Sequence, residues 1–124
     1  MDLSVIGRDL ASSVITLTTD FGDGHYVASM KGVVLGINPD AVLVDLSHEV
    51  PPQDIAHGAF ALGMACRHFP ERTIHLAVVD PGVGSARSAV VLVTPEASFV
   101  GPDNGLLTYA VKDYVGSEEF GLED

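Results

Sequence analysis

The sequence predicts an α/β domain: a largely parallel sheet with helices on both faces. Three observations carry this expectation. Short, nearly continuous apolar runs alternate with segments whose apolar residues recur at helical spacing. Strands that are apolar on both sides belong to sheets covered on both faces. Glycine-, proline- and aspartate-rich turns follow several of the runs, where such a sheet makes its loops.

Each element can be justified in order. Residues 1–13 carry Asp2, Arg8 and Asp9, lack an apolar signal core, and read as a flexible leader. Residues 14–124 read as one domain. Val14–Thr19 is the first strand, and it ends at Asp20-Phe21-Gly22. Tyr26–Ile37 places Val27, Met30, Val34 and Ile37 at helical spacing, and Asn38-Pro39-Asp40 stops that helix because proline cannot continue it. Ala41–Leu46 is the second strand. Asp54–Arg67 is helical through Ile55, Ala59, Leu62 and Cys66, with Asp54 as its cap. Thr73–Val79 is a third strand that runs into Asp80-Pro81-Gly82-Val83-Gly84. Ala89–Val93 and Ser98–Val100 are two more, joined by a turn at Pro95-Glu96. Pro102-Asp103-Asn104-Gly105 leads into a last helix over Leu106–Val115.

Composition limits the function classes. The chain has 124 residues, a common size for one domain, and 47% of them are hydrophobic. Six basic residues stand against seventeen acidic ones, for a formal charge of -11. Nucleic acid and anionic membrane surfaces both need basic patches, so neither is an expected partner. The charge is compatible with a cationic ligand, but solubility is the commoner reason for an acidic chain. Cys66 is the single cysteine, so no internal disulfide is possible, and its place in an apolar helix reads as a buried thiol. No apolar run of about 18 residues exists to span a membrane. The expected compartment is the cytoplasm.

The acidic residues fall where a parallel sheet binds ligands, outside the carboxyl ends of its strands. Asp20, Asp80 and Asp103 each lie at or just past a strand end, and Asp45 lies one position before one. If the first three strands are parallel, Asp20, Asp45 and Asp80 share an edge. The glycines of Asp20-Phe21-Gly22-Asp23-Gly24 let the backbone turn tightly beside a ligand. One carboxylate there suits the two hydroxyls of a ribose. Asp80 and Arg87 bracket a compact Pro/Gly loop; such a pair can orient a water molecule or clamp the loop. His25, His48, His57, His68 and His75 form neither HxxxH nor HExxH. His48, beside Asp45 and Glu49, is the remaining metal candidate, whereas His57, His68 and His75 read as surface or helix-packing residues.

Six blocks occur in one order: Thr18-Thr19-Asp20-Phe21-Gly22; Tyr26-Val27 with Met30-Lys31-Gly32; Asp45-Leu46-Ser47-His48; Pro51-Pro52-Gln53-Asp54-Ile55; Val78-Val79-Asp80-Pro81-Gly82-Val83-Gly84 with Arg87; and Pro102-Asp103-Asn104-Gly105-Leu106-Leu107. In these the sequence resembles the S-adenosyl-L-methionine (SAM) hydroxide adenosyltransferases, or SAM hydrolases, relatives of the SAM-dependent fluorinases and chlorinases. The resemblance implies a Rossmann-like three-layer domain and conversion of SAM and water to adenosine and methionine. It implies no separate cofactor and no metal, since SAM is the substrate. It assigns Asp20 to the ribose, with Phe21, Gly22, Gln53 and Asn104 also lining the substrate site, and Asp80 and Arg87 to the activation of water. The halogenating relatives have tyrosine at Asp80, tryptophan at Gln53 and a long insertion before the last block, so the resemblance favours water over halide.

The resemblance also implies a C-terminal β-barrel, a homotrimer with sites between subunits, and a downstream catalytic histidine in a His-Gly-Arg-Asp segment. The sequence to Asp124 contains neither barrel nor histidine, so it reads as the family's N-terminal domain, expected to fold and to be nearly inactive by itself. The loop from Gly22 to Tyr26 is one residue shorter than the family's, which leaves Asp23 unassigned. Two other classes are the alternatives: a non-catalytic nucleoside-binding or assembly module, and a metal-dependent hydrolase using Asp20, Asp45, His48 and Asp80.

Overall fold

The computed structural model describes residues 13–80 and 89–112. The elements are β1 (Val14–Thr19), α1 (His25–Ile37), β2 (Val42–Ser47), α2 (Ile55–Cys66), β3 (Thr73–Val78), β4 (Ala89–Val93), β5 (Ala97–Pro102) and α3 (Thr108–Lys112). Every expected strand and helix is present, with ends shifted by a few residues at most within the described segments. The leader, apart from Ser13, the loop containing Arg87 and the end of the last expected helix lie outside the described residues. The sheet runs β2-β1-β3-β5-β4. Its first four strands are parallel, and β4 is an antiparallel edge against β5.

Strand register separates two faces. Thr16 and Thr18 of β1 pair with His75 and Ala77 of β3, so the four side chains lie on one face. There α2 and α3 cover the sheet, and Ala59, Leu62, Cys66, Ala77, Val79, Phe99, Leu106 and Ala110 form the core. Asp54 caps α2 as expected, accepting the His57 N–H at 3.0 Å. The opposite face carries Leu17 and, beside it, Asp45 of β2. Helix α1 lies on that side, since Lys31 reaches Asp45. Its Val27, Met30 and Val34 are half-buried, but Ile37 is 82% exposed. Helical spacing assigned Ile37 to the same stripe; it ends the helix, where the stripe has drifted off the sheet. No helix among the described residues is long and apolar enough to cross a membrane.

Gly101 is required by close approach rather than by its backbone angles. A Cβ there would lie 2.8 Å from the Ala77 carbonyl oxygen and 3.3 Å from Leu107 Cδ2. The carbonyl belongs to a central strand and cannot swing aside. Gly101→Ala should therefore destabilise the fold by about 1–3 kcal/mol. Chemical denaturation reads this directly, and an unchanged midpoint would contradict it.

His75 corrects an expectation. It is not a surface residue but is fully buried in the interior of β3, on the face that α2 and α3 cover. Its Nδ1 lies 2.7 Å from Thr16 Oγ1, and its ring stacks on Phe99 at 5.2 Å between centroids. Burial pushes its pKa down from 6.5 to about 4. The unfolded chain therefore takes up this proton at higher pH than the folded one. The resulting stability is complete above about pH 6.5 and is lost as pH falls toward 4, by at most about 1.4 kcal/mol per pH unit. The double variant Thr16→Val/His75→Phe removes both polar partners and should show a shallower loss across that window. Equal slopes for variant and wild type would rule out this account.

Candidate functional site

The topology makes a crevice beside β1. From β1 the chain passes through α1 to β2 on one side, then returns through α2, on the other face, to β3. The strand order thus reverses between β1 and β3, and such a reversal opens a ligand site outside the carboxyl ends. Thr19 pairs with Val78 in register, so Asp20 and Asp80 emerge from adjacent strands at that edge. Asp103 follows β5, which is parallel to β3, and reaches the same edge. Asp45 lies slightly deeper in the sheet and lines the cleft beside that edge. It sits within β2, two positions before its end, and its side chain faces α1.

The turn after β1 is held from several directions. The Gln53 N–H donates to Asp20 Oδ2 at 2.6 Å. Gln53 has φ 64, a left-handed conformation uncommon for a residue with a side chain. Gly22 has φ 74 and donates its N–H to the His48 carbonyl at 2.7 Å. The Phe21 N–H donates to Thr19 Oγ1 at 3.1 Å, and its ring lies 6.2 Å from that of Tyr26. Asp20, Phe21, Gly22 and Gln53 are therefore brought together, as their assignment to one site requires.

Asp80 and Asn104 lie on the β3 side. Asp80 borders an apolar depression of about 190 Å³ with Leu76, Val78, Val100 and Pro102. Asn104 donates its amide to the Val79 carbonyl at 3.0 Å and accepts the Leu106 N–H at 3.1 Å. Its side chain thus ties the loop after β5 to the end of β3, next to Asp80. Arg87 lies outside the described residues, so the Asp80–Arg87 contact is not part of this geometry.

Next to the turn is a cleft of about 560 Å³ whose lining includes Asp23, Lys31, Asp45, His48 and Glu49. Here a chain of contacts appears that sequence spacing did not reveal. Thr19 Oγ1 lies 2.7 Å from His48 Nδ1, His48 Nε2 lies 2.7 Å from Asp45 Oδ1, and Lys31 Nζ donates to Asp45 Oδ2 at 2.8 Å. The Lys31 hydrogen bond, then that of His48, holds the Asp45 carboxyl below its ordinary pKa. Both Asp45 oxygens are thus engaged by side chains, and the Gln53 N–H engages Asp20. Among the described residues no three His, Cys, Asp or Glu side chains converge as a metal site. Of the set Asp20, Asp45, His48 and Asp80, Asp45 and His48 meet, Asp20 is engaged by the Gln53 N–H, and Asp80 stands past the end of β3.

Comparison with known proteins adds an independent line. Residues 15–123 match the family described as the SAM hydroxide adenosyltransferase N-terminal domain. An (R)-S-adenosyl-L-methionine hydrolase from Methanocaldococcus jannaschii is 46% identical over 116 residues, covering 89% of this chain and 44% of that protein. A more distant relative, a fluorinase from Nocardia brasiliensis, is 28% identical over 125 residues, covering 82% of this chain and 42% of its own length. A solved structure of an uncharacterised conserved protein from Thermotoga maritima superposes with a TM-score of 0.77 at 42% identity, over 81% of this chain and 39% of that one. The chain thus spans about two fifths of the length of these proteins.

Proposed function

From the premise that the chain belongs to the SAM hydroxide adenosyltransferase N-terminal-domain family, we propose that the protein hydrolyses S-adenosyl-L-methionine to adenosine and L-methionine. The observation that carries this reading is the emergence of Asp20 and Asp80 from adjacent parallel strands at the β1/β3 crevice. In this reading Asp20 accepts hydrogen bonds from the ribose hydroxyls through its carboxylate. Phe21, Gly22 and Gln53 shape the pocket around it, and Asn104 acts by holding the loop beside Asp80. Asp80, with Arg87, places a water molecule in line with ribose C5′.

The chemistry asks little else of the protein. The sulfonium of SAM departs as a neutral thioether, so its departure needs no general acid. The new bond forms between the water oxygen and C5′ while the C5′–S bond breaks and its electron pair stays on sulfur; one of the water's protons passes to solvent or to a nearby carboxylate, and the other remains on the new 5′ hydroxyl. Fixing the water in line contributes several kcal/mol through orientation alone. The acidic chain, at -11, attracts a cationic substrate, and the reaction needs neither metal nor separate cofactor. Identity of 46% to a hydrolase against 28% to a fluorinase supports water over halide as the nucleophile. The same reading makes the protein a cytoplasmic homotrimer acting on a small molecule, with neither nucleic acid nor membrane as partner.

The test is chromatography with mass detection of SAM incubated with the full-length protein, with and without chloride or fluoride. Adenosine and methionine should accumulate over a protein-free control, unaffected by halide. Detection of a 5′-halogenated adenosine would overturn the choice of nucleophile.

A further inference from the structure

The contact chain beside the Asp20 turn has a direction that hydrogen-bond chemistry fixes. A carboxylate only accepts, so the 2.7 Å contact between Asp45 and His48 puts the ring hydrogen on Nε2. In the neutral ring Nδ1 is then a bare acceptor, and the Thr19 hydroxyl, 2.7 Å away, donates to it. The Thr19 oxygen in turn accepts the Phe21 N–H. Every donor therefore points the same way, from Phe21 through Thr19 and His48 to Asp45, where Lys31 closes the chain. His48 grips the turn a second time through its carbonyl, which accepts the Gly22 N–H.

We propose that His48 is a positioning residue: as a neutral ring protonated on Nε2, it receives the Thr19 hydroxyl and so presets the turn that aims Asp20. The inference rests on reading Asp20 as the ribose ligand. The order hydroxyl, imidazole, carboxylate is that of a nucleophilic triad, but the surroundings exclude that use. Thr19 is fully buried, and its oxygen is already an acceptor for a backbone N–H. What the chain can do is hold residues 19–22 in one conformation, sparing the ligand the cost of ordering them. Lys31 and the carboxylate keep the ring oriented, as partners behind a working histidine do.

The test reads tautomer, local opening and affinity separately. Nitrogen-15 shifts of the free wild-type protein should show His48 protonated on Nε2. Asp45→Asn, whose amide can donate to Nε2, should move the population toward the Nδ1-protonated form, a change that mere filling of space would not produce. Thr19→Val should speed exchange of the Phe21 and Gly22 amides roughly five- to tenfold and weaken adenosine binding by a similar factor, while Thr19→Ser restores both. A wild-type ring protonated on Nδ1, or wild-type exchange in Thr19→Val, overturns the proposal even if His48→Ala does not fold. Exchange and tautomer are read without ligand. Unchanged adenosine affinity in Asp20→Ala would therefore remove the ribose assignment while leaving the test of His48 intact.

Discussion

In the full-length protein, Asp80→Ala should lower the rate of adenosine release from SAM by roughly 10²–10⁴-fold, the usual contribution of a positioned acid or base. Substrate affinity should change far less, because the proposed role of the carboxylate is toward water and not the nucleoside. Asp80 is half-buried two residues past Val78, beside the strand that carries Asp20. That place puts its carboxylate at the same sheet edge as the Asp20 turn. Asp80→Asn keeps the shape and one acceptor oxygen, so it should retain the fold and most of the affinity while losing most of the rate. Full rate in either variant would show that Asp80 is a structural end to β3. Single-turnover kinetics with a separate measurement of SAM binding makes the distinction.

Asp20→Ala should act in the opposite sense, on binding. The loss of a charged acceptor for two hydroxyls is expected to weaken adenosine by about 1–3 kcal/mol. The variant also removes the acceptor of the Gln53 N–H, 2.6 Å away, so part of the loss reflects a freed loop. Asp20→Asn retains an acceptor for that N–H and separates the two contributions. Calorimetry on wild type and both variants is the measurement, and equal affinities would sink the ribose assignment.

Much of the fold was legible because it is written in local pattern. The apolar run Val14–Thr19 gave β1 to the residue, Ala89–Val93 gave β4, and the Asp54 cap fixed the start of α2. Strand order was not legible, since parallel pairing joins segments far apart in sequence. His75 could have been placed: it shares a period of two with Thr73, Ala77 and Val79, the buried face of β3. Its polarity outweighed that pattern in the sequence reading. Asp20, Gly22 and Gln53 were legible from turn chemistry and from motif blocks. The grip of His48 on Thr19 was not, because 29 residues separate them and only the β1–β2 pairing brings them together. The contact of Lys31 with Asp45 was not legible either, because it depends on how the helix carrying Lys31 packs over β2.

The central claim is attack by water on C5′ of SAM, and isotopic labelling tests it most directly. When the full-length protein turns over SAM in water enriched in oxygen-18, mass spectrometry should find the label in the 5′ hydroxyl of adenosine and none in methionine. Adenosine without label, or no adenosine above the protein-free control, would contradict the account.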